Sequence, residues 1–205
     1  MINVCVPVLR RYDLLRNLLR SLCSSTTVPR VFIIDNGRNR GLLDEACSDV
    51  PLDITVERPG IPMGVAESWN WFIKRVPEER VISNDDIVFA SDSLERLVAT
   101  DAELAWAGYG FACYLIRDSC VQKIGLFDET ISPGYGYYED EDYLQRLDGR
   151  GTRERSANAA VVECGIQHFN SGTLKAASHE EILEHHRRFK IAQANYSKKW
   201  GVVFQ

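Results

Sequence analysis

The sequence has no Cys-x-x-Cys pair, and none of its six cysteines stands at zinc-finger spacing to a histidine. Structural zinc and a thioredoxin-type redox motif are therefore excluded, and reduced, mostly buried thiols in a cytoplasmic protein are expected. No apolar run reaches the length of a membrane span, and Met1-Ile2-Asn3 opens a strand-like run with no charged region before it, so neither insertion nor export is expected. There is no excess of positive charge: the formal net charge is −5, which disfavours binding to long nucleic acid. Repeats, low-complexity tracts and linker-like stretches are also missing, so residues 1–205 read as one domain.

What is present alternates. Apolar runs at Ile2–Leu9, Val31–Ile34 and Leu52–Val56 read as strands, as does the stretch Arg80–Phe89, a buried strand that ends in Asn84-Asp85-Asp86 with apolar residues following. Segments with helical spacing lie between them: Tyr12–Cys23, Leu42–Cys47 and Val65–Val76. That order predicts an α/β fold with a Rossmann-like, mostly parallel central sheet flanked by helices. In such sheets ligands bind at the carboxyl ends of the strands. Pro7, Asp35, the loop Arg58–Gly64 and Asn84-Asp85-Asp86 all fall there.

The second half predicts helices at Asp92–Thr100 and Asp118–Ile124, the latter capped by its own Asp118, and a strand over Gly108–Ile116. A late strand around Val161-Val162 and a long final helix from about Glu180 to Lys198 follow.

Three constellations carry chemistry. Asn84-Asp85-Asp86 is an ordinary turn composition, but at the end of a buried strand it offers oxygen ligands to a hard divalent cation. Glu139-Asp140-Glu141-Asp142 suits a helix start, where acids complement the helix dipole, and it can equally hold a general base behind the Gly/Tyr-rich loop 132–138. His168, in a stretch Gln167–Thr173 read as a polar loop, is a core or loop histidine, or part of a site with the Ser/Gly/Thr segment that follows it. His179, His185 and His186 are read as surface residues. Trp106, Tyr109, Tyr135, Tyr137 and Tyr138 could stack on a sugar but are given no role.

In order and spacing these segments resemble family 2 glycosyltransferases of the GT-A fold. The resemblance runs through Val6-Pro7, Ile34-Asp35-Asn36-Gly37, Arg58-Pro59-Gly60 to Gly64 and Asn70, and Asn84-Asp85-Asp86. It continues through Ile124–Glu129, Tyr138–Asp142, His168 and Lys199-Trp200-Gly201, covering nearly the whole chain. It implies a nucleotide-binding half, residues 1–90, and an acceptor half, residues 91–205. Pro7 and Asp35 would flank the base of a nucleotide-diphosphate sugar, and a carboxylate that accepts an imide N–H favours a UDP- or dTDP-linked donor. Gly64 belongs to the same donor site. In the DxD slot, Asp86 would bind Mn2+ or Mg2+ and Asn84 or Asp85 the ribose, with His168 as a further metal ligand. Asp140 would be the base of an inverting transfer. Arg10 and Arg58 stand where such proteins often carry Asn, adding positive charge near the diphosphate. A sugar nucleotidyltransferase needs a Gly-rich, Arg-containing loop after the first strand, and Pro7-Val8-Leu9-Arg10-Arg11 stands there instead. A non-catalytic nucleotide- or sugar-binding module remains the other reading. The acceptor, whether glycan, lipid-linked glycan, metabolite or modified base, is not legible, and the long last helix suits a homodimer contact.

Overall fold

The computed structural model describes residues 1–77, 79–149, 157–169 and 177–204. Strands β1 (Asn3–Val8), β2 (Arg30–Asp35), β3 (Asp53–Glu57) and β4 (Arg80–Ser83) alternate with helices α1 (Tyr12–Cys23), α2 (Arg40–Cys47) and α3 (Val65–Arg75). After β4 come β5 (Ile87–Val88), α4 (Ser93–Val98), β6 (Leu104–Trp106), a 3-10 turn at Gly110–Ala112, β7 (Cys113–Ile116) and α5 (Asp118–Ile124). The chain ends with α6 (Glu139–Leu147), β8 (Ala159–Val161), β9 (Gln167–His168) and α7 (His179–Trp200). The main sheet has the order β3-β2-β1-β4-β7-β6-β8. Its first four strands are parallel, β7 is antiparallel to β4 and β6, and β6 pairs parallel to β8. The α/β architecture with a mostly parallel sheet is therefore as expected.

Two details differ from expectation. Only Cys113–Ile116 of the stretch 108–116 is strand, because Gly108 and Gly110 take positive φ (86° and 57°) and reverse the chain into the β6–β7 pair. Nor does Asp118 cap its own helix. Its carboxylate pairs with Arg80, whose fully buried guanidinium also donates to Ile73 O (3.2 Å) and Val76 O (3.0 Å) at the C-terminal end of α3. A buried cation needs those partners more than a short helix needs a cap.

The strand alternation splits the core. Val4, Val6 and Val8 pack with Leu15, Leu18, Leu19 and Leu22 of α1 on one face, whereas Cys5, Ile34 and Ile82 face α3 on the other. The second face is aromatic. Trp69 of α3 meets Phe127 at 4.8 Å, and Phe127 stacks on Tyr143 of α6 at 4.3 Å. Asn70 adds three hydrogen bonds across the same junction: its Oδ1 accepts from Phe127 N (2.9 Å), and its Nδ2 donates to Phe127 O (2.9 Å) and Glu129 Oε1 (2.8 Å). The helix that begins with Glu139-Asp140 is thereby tied to the helix that follows the Arg58–Gly64 loop. Among the described residues no helix is long and apolar enough to cross a membrane, and the six cysteines are free thiols.

Candidate active site

The strand ends converge. A cavity of about 670 Å3 opens at the carboxyl edge of the parallel strands. Pro7 to Arg10 after β1, Asn36 after β2, Pro62 to Gly64 before α3 and Asn84 to Asp86 after β4 form its floor and one wall. Gly134 to Tyr137, His168, Glu181 and His185 form the facing wall. Glycine is required at two places where these walls interlock. A Cβ on Gly64 would stand 2.5 Å from Tyr135 O, and one on Gly136 would stand 2.2 Å from Val65 Cγ2. The close approach is held by Val65 N donating to Tyr135 O at 2.7 Å.

Asp86 and His168 meet at the cavity. Strands β5 and β9 pair antiparallel with Ile87 opposite His168, and this register brings His168 Nε2 to 3.1 Å from Asp86 Oδ1. Phe169 N donates to Asp86 O (3.0 Å) and extends the pairing by one residue. Asp85, buried beside Asp86, has its carboxyl pushed up to about 7 by burial first and by the Asp86 charge second. Oxygen donors with one imidazole make a set that takes a divalent cation such as Mn2+. Among the described residues no group of three or more His, Cys, Asp or Glu gathers to hold a metal alone. A cation bound by Asp86 and His168 would therefore complete its shell with water and substrate oxygens, as ions that bridge phosphates do.

Asp35 lies beneath the wall rather than on it. It is fully buried; its Oδ1 accepts from Tyr12 Oη (2.5 Å) and Arg38 N (2.9 Å), and Arg58 Nε stands 3.5 Å from its Oδ2. Burial, then the Asp35 hydrogen bond, pushes the Tyr12 phenol up to about 12, so it remains a donor. Asn36 reaches the cavity in its place, with Oδ1 accepting from Met63 N (2.8 Å) and Nδ2 donating to Ser68 Oγ (3.2 Å). It was missed in the sequence, although its position one residue beyond a strand-end Asp is the signal that could have found it. Of the basic residues near the first strand ends, Arg10 lines the cavity and pairs with Glu181, Arg11 pairs with Asp13, and Arg58 pairs with Asp35.

Asp140 is half-buried on the first turn of α6, its Oδ1 accepting from Glu141 N at 2.9 Å, and it is not part of the cavity wall. Burial raises its carboxyl above the ordinary range. Glu139 is more deeply placed, 5% exposed, with no hydrogen-bond partner for Oε2 among the described residues. Burial first and the Asp140 charge second push Glu139 up to about 8. Tyr138, just before them, is left-handed (φ 66°), a conformation costly for a side chain of its size. Helix α7 holds it there: Gln193 Nε2 donates to Tyr138 Oη (3.0 Å), and Phe189 and Tyr196 pack on its ring. Asp142, the last acid of the run, is structural. It receives Arg146 Nε (3.0 Å), Trp200 Nε1 (2.9 Å) and Lys199 Nζ (2.5 Å).

One histidine departs from its surface reading. His185 is half-buried and lines the cavity, its Nδ1 2.5 Å from Tyr137 Oη. His179 and His186 are exposed, as expected. Of the expected polar loop 167–173, Gln167–His168 are instead strand, formed by pairing with β5, and residues 170–173 lie outside the described residues.

No family model and no curated protein matches the sequence. Solved structures do: the architecture is that of the GT-A glycosyltransferases. Among the similar structures is a mannosyltransferase from Pyrobaculum calidifontis in complex with GDP-mannose and Mn2+, with TM-score 0.61 and 13% identity over 100% of this chain and 76% of that one. Glucosyl-3-phosphoglycerate synthase from Mycobacterium tuberculosis, with Mn2+ and UDP, gives TM-score 0.63 and 13% identity over 100% and 81%. TarS residues 1–349 from S. aureus, with UDP-GlcNAc, gives 0.57 and 14% over 93% and 66%. At these identities the likeness is one of fold.

Proposed function

We propose that the chain is a metal-dependent glycosyltransferase that moves a sugar from a nucleotide-diphosphate donor to an acceptor hydroxyl with inversion. The observation that carries this reading is the meeting of Asp86 and His168, 3.1 Å apart, in a cavity built from four strand ends of a GT-A sheet. Held by these two side chains, Mn2+ or Mg2+ would stabilise the negative charge of the departing diphosphate.

Arg10 supplies further positive charge on the same wall, and Asn84 or Asp85 would grip the ribose. Pro7 and Gly64 shape the donor slot. The donor is taken as UDP- or dTDP-linked, with Asn36, which reaches the cavity where buried Asp35 does not, offering amide groups to the base. Asp140 is the base. The acceptor oxygen bonds to the anomeric carbon as that carbon's bond to the phosphate oxygen breaks, and the hydroxyl proton passes to the Asp140 carboxylate. Glu139, which keeps its proton at neutral pH, leaves the negative charge to Asp140. Six free thiols support a reducing compartment.

The test is consumption of UDP-, dTDP- and GDP-sugars with Mn2+ across a panel of hydroxyl acceptors, comparing wild type with Asp140→Asn. Turnover should fall by about 10²–10⁴-fold in the variant while nucleotide affinity is kept. Equal turnover in the two proteins would remove Asp140 as the base. Metal-dependent nucleotide binding without turnover on any acceptor would favour a binding module instead.

A further inference from the structure

We propose that Glu181 is an internal competitor for the donor: its carboxylate occupies on Arg10 the place a donor phosphate takes, so that donor entry releases the first turns of α7. The inference rests on the donor reading above. Arg10 and Glu181 are far apart in sequence, both line the cavity, and they form an ion pair across it.

The carboxylate of Glu181 divides its work. Its Oε1 faces Arg10, and its Oε2 accepts from Ser178 N (2.7 Å) in a capping box that begins α7. Further along α7, His185 meets Tyr137, and the Arg188 guanidinium lies 5.4 Å from the Tyr135 ring. These contacts fasten the front of the helix to the cavity rim. Its back is fastened elsewhere, by Asn195 to Thr130 O and Ile131 O, Lys199 to Asp128 and Trp200 to Asp142. Release of the Arg10–Glu181 pair would thus act on the front and leave the back docked.

Charge gives the direction. The side chains of Arg10 and Glu181 are 36% and 42% exposed, so the pair is partly solvated and readily exchanged. A diphosphate carries more negative charge than a carboxylate and offers paired oxygens to a guanidinium. Once it sits on Arg10, Glu181 is left beside a like charge and is repelled. Donor affinity is thus set below its intrinsic value by Glu181, and the wall of the acceptor side loosens only when the donor is in place.

Calorimetric titration of UDP with Mn2+ into wild type, Glu181→Gln, Arg10→Gln and the double variant tests this. Gln at the third helical position still accepts in a capping box, so Glu181→Gln removes the charge and keeps the helix start. Glu181→Gln should bind about two- to fivefold tighter than wild type, the gain being limited by the modest worth of an exposed pair. Arg10→Gln should bind more weakly, and in its background Glu181→Gln should bring no further gain. Amide exchange over residues 179–186 should quicken when UDP and Mn2+ are added to wild type. Unchanged or weaker binding by Glu181→Gln, the same gain without Arg10, or unaltered exchange on nucleotide binding would each overturn the proposal. If wild type binds nucleotide with metal and Glu181→Gln binds no tighter, this inference alone fails. If wild type binds no nucleotide, the donor reading fails and takes the inference with it.

Discussion

Two neighbouring carboxyls open α6, and their environments separate them. Glu139 is buried without a hydrogen-bond partner for Oε2 among the described residues and is pushed up to about 8, whereas Asp140 is only half-buried and hydrogen-bonded to the helix start. The folded protein therefore keeps a proton on Glu139 that the unfolded chain releases near pH 4.5. Stability from this group is full below about pH 4.5 and falls as pH rises to about 8, where it is lost. Glu139→Gln should abolish that slope and exceed wild type at pH 9 by on the order of 2–4 kcal/mol. Urea denaturation at pH 5 and pH 9 reads this directly, and parallel pH dependences in the two proteins would contradict it. The sequence shows four acids in a row but not which one is buried; that depends on the left-handed turn at Tyr138 and on the α7 side chains that hold it. His185 was hidden for a similar reason. Its neighbours on α7 are charged and exposed, and only the docking of Tyr137 against it turns that imidazole toward the cavity.

The start of α3 meets the 134–136 loop backbone to backbone at Gly64, with the Val65 side chain laid against Gly136. Gly64→Ala would place a methyl 2.5 Å from Tyr135 O, against backbone that is itself hydrogen-bonded to Val65. The two walls would have to part, at a cost of about 1–3 kcal/mol. Thermal unfolding should show the loss, together with weaker nucleotide binding because the cavity walls move; an unchanged melting temperature would contradict the close approach. The long elements were legible. Leucines of α1 at helical spacing and the apolar runs of β1 and β2 carry their own periodicity. The short ones were not: β5, β9 and β6 have two or three residues, too few for any period to show, and they exist through pairing with distant partners. His168 illustrates this. Its local sequence permits a loop histidine, and the β5–β9 register is what delivers it to Asp86.

At the scale of the molecule, one seven-stranded sheet runs through both segments of the chain, and the aromatic cluster of Trp69, Phe127 and Tyr143 binds α3 to α6, the helix of the acid run. The parallel order, and with it the rim where the site lies, followed from the alternation of strands and helices. The antiparallel reversal at β7 did not, because it depends on the positive φ of Gly108 and Gly110. Asp35 shows the limit of strand-end reasoning: it is at the rim in sequence, yet Tyr12 and Arg38 draw it below the wall while Asn36 faces the cavity. The central claim is that Asp86 and His168 hold a cation that brings a nucleotide diphosphate into this cavity. Its most direct test is calorimetric titration of UDP, dTDP and GDP, with and without Mn2+, into wild type, Asp86→Ala and His168→Ala. Metal-dependent binding of one nucleotide, lost in Asp86→Ala and weakened in His168→Ala, is the expected result. Binding indifferent to metal and to both substitutions, or no binding of any nucleotide, would contradict it.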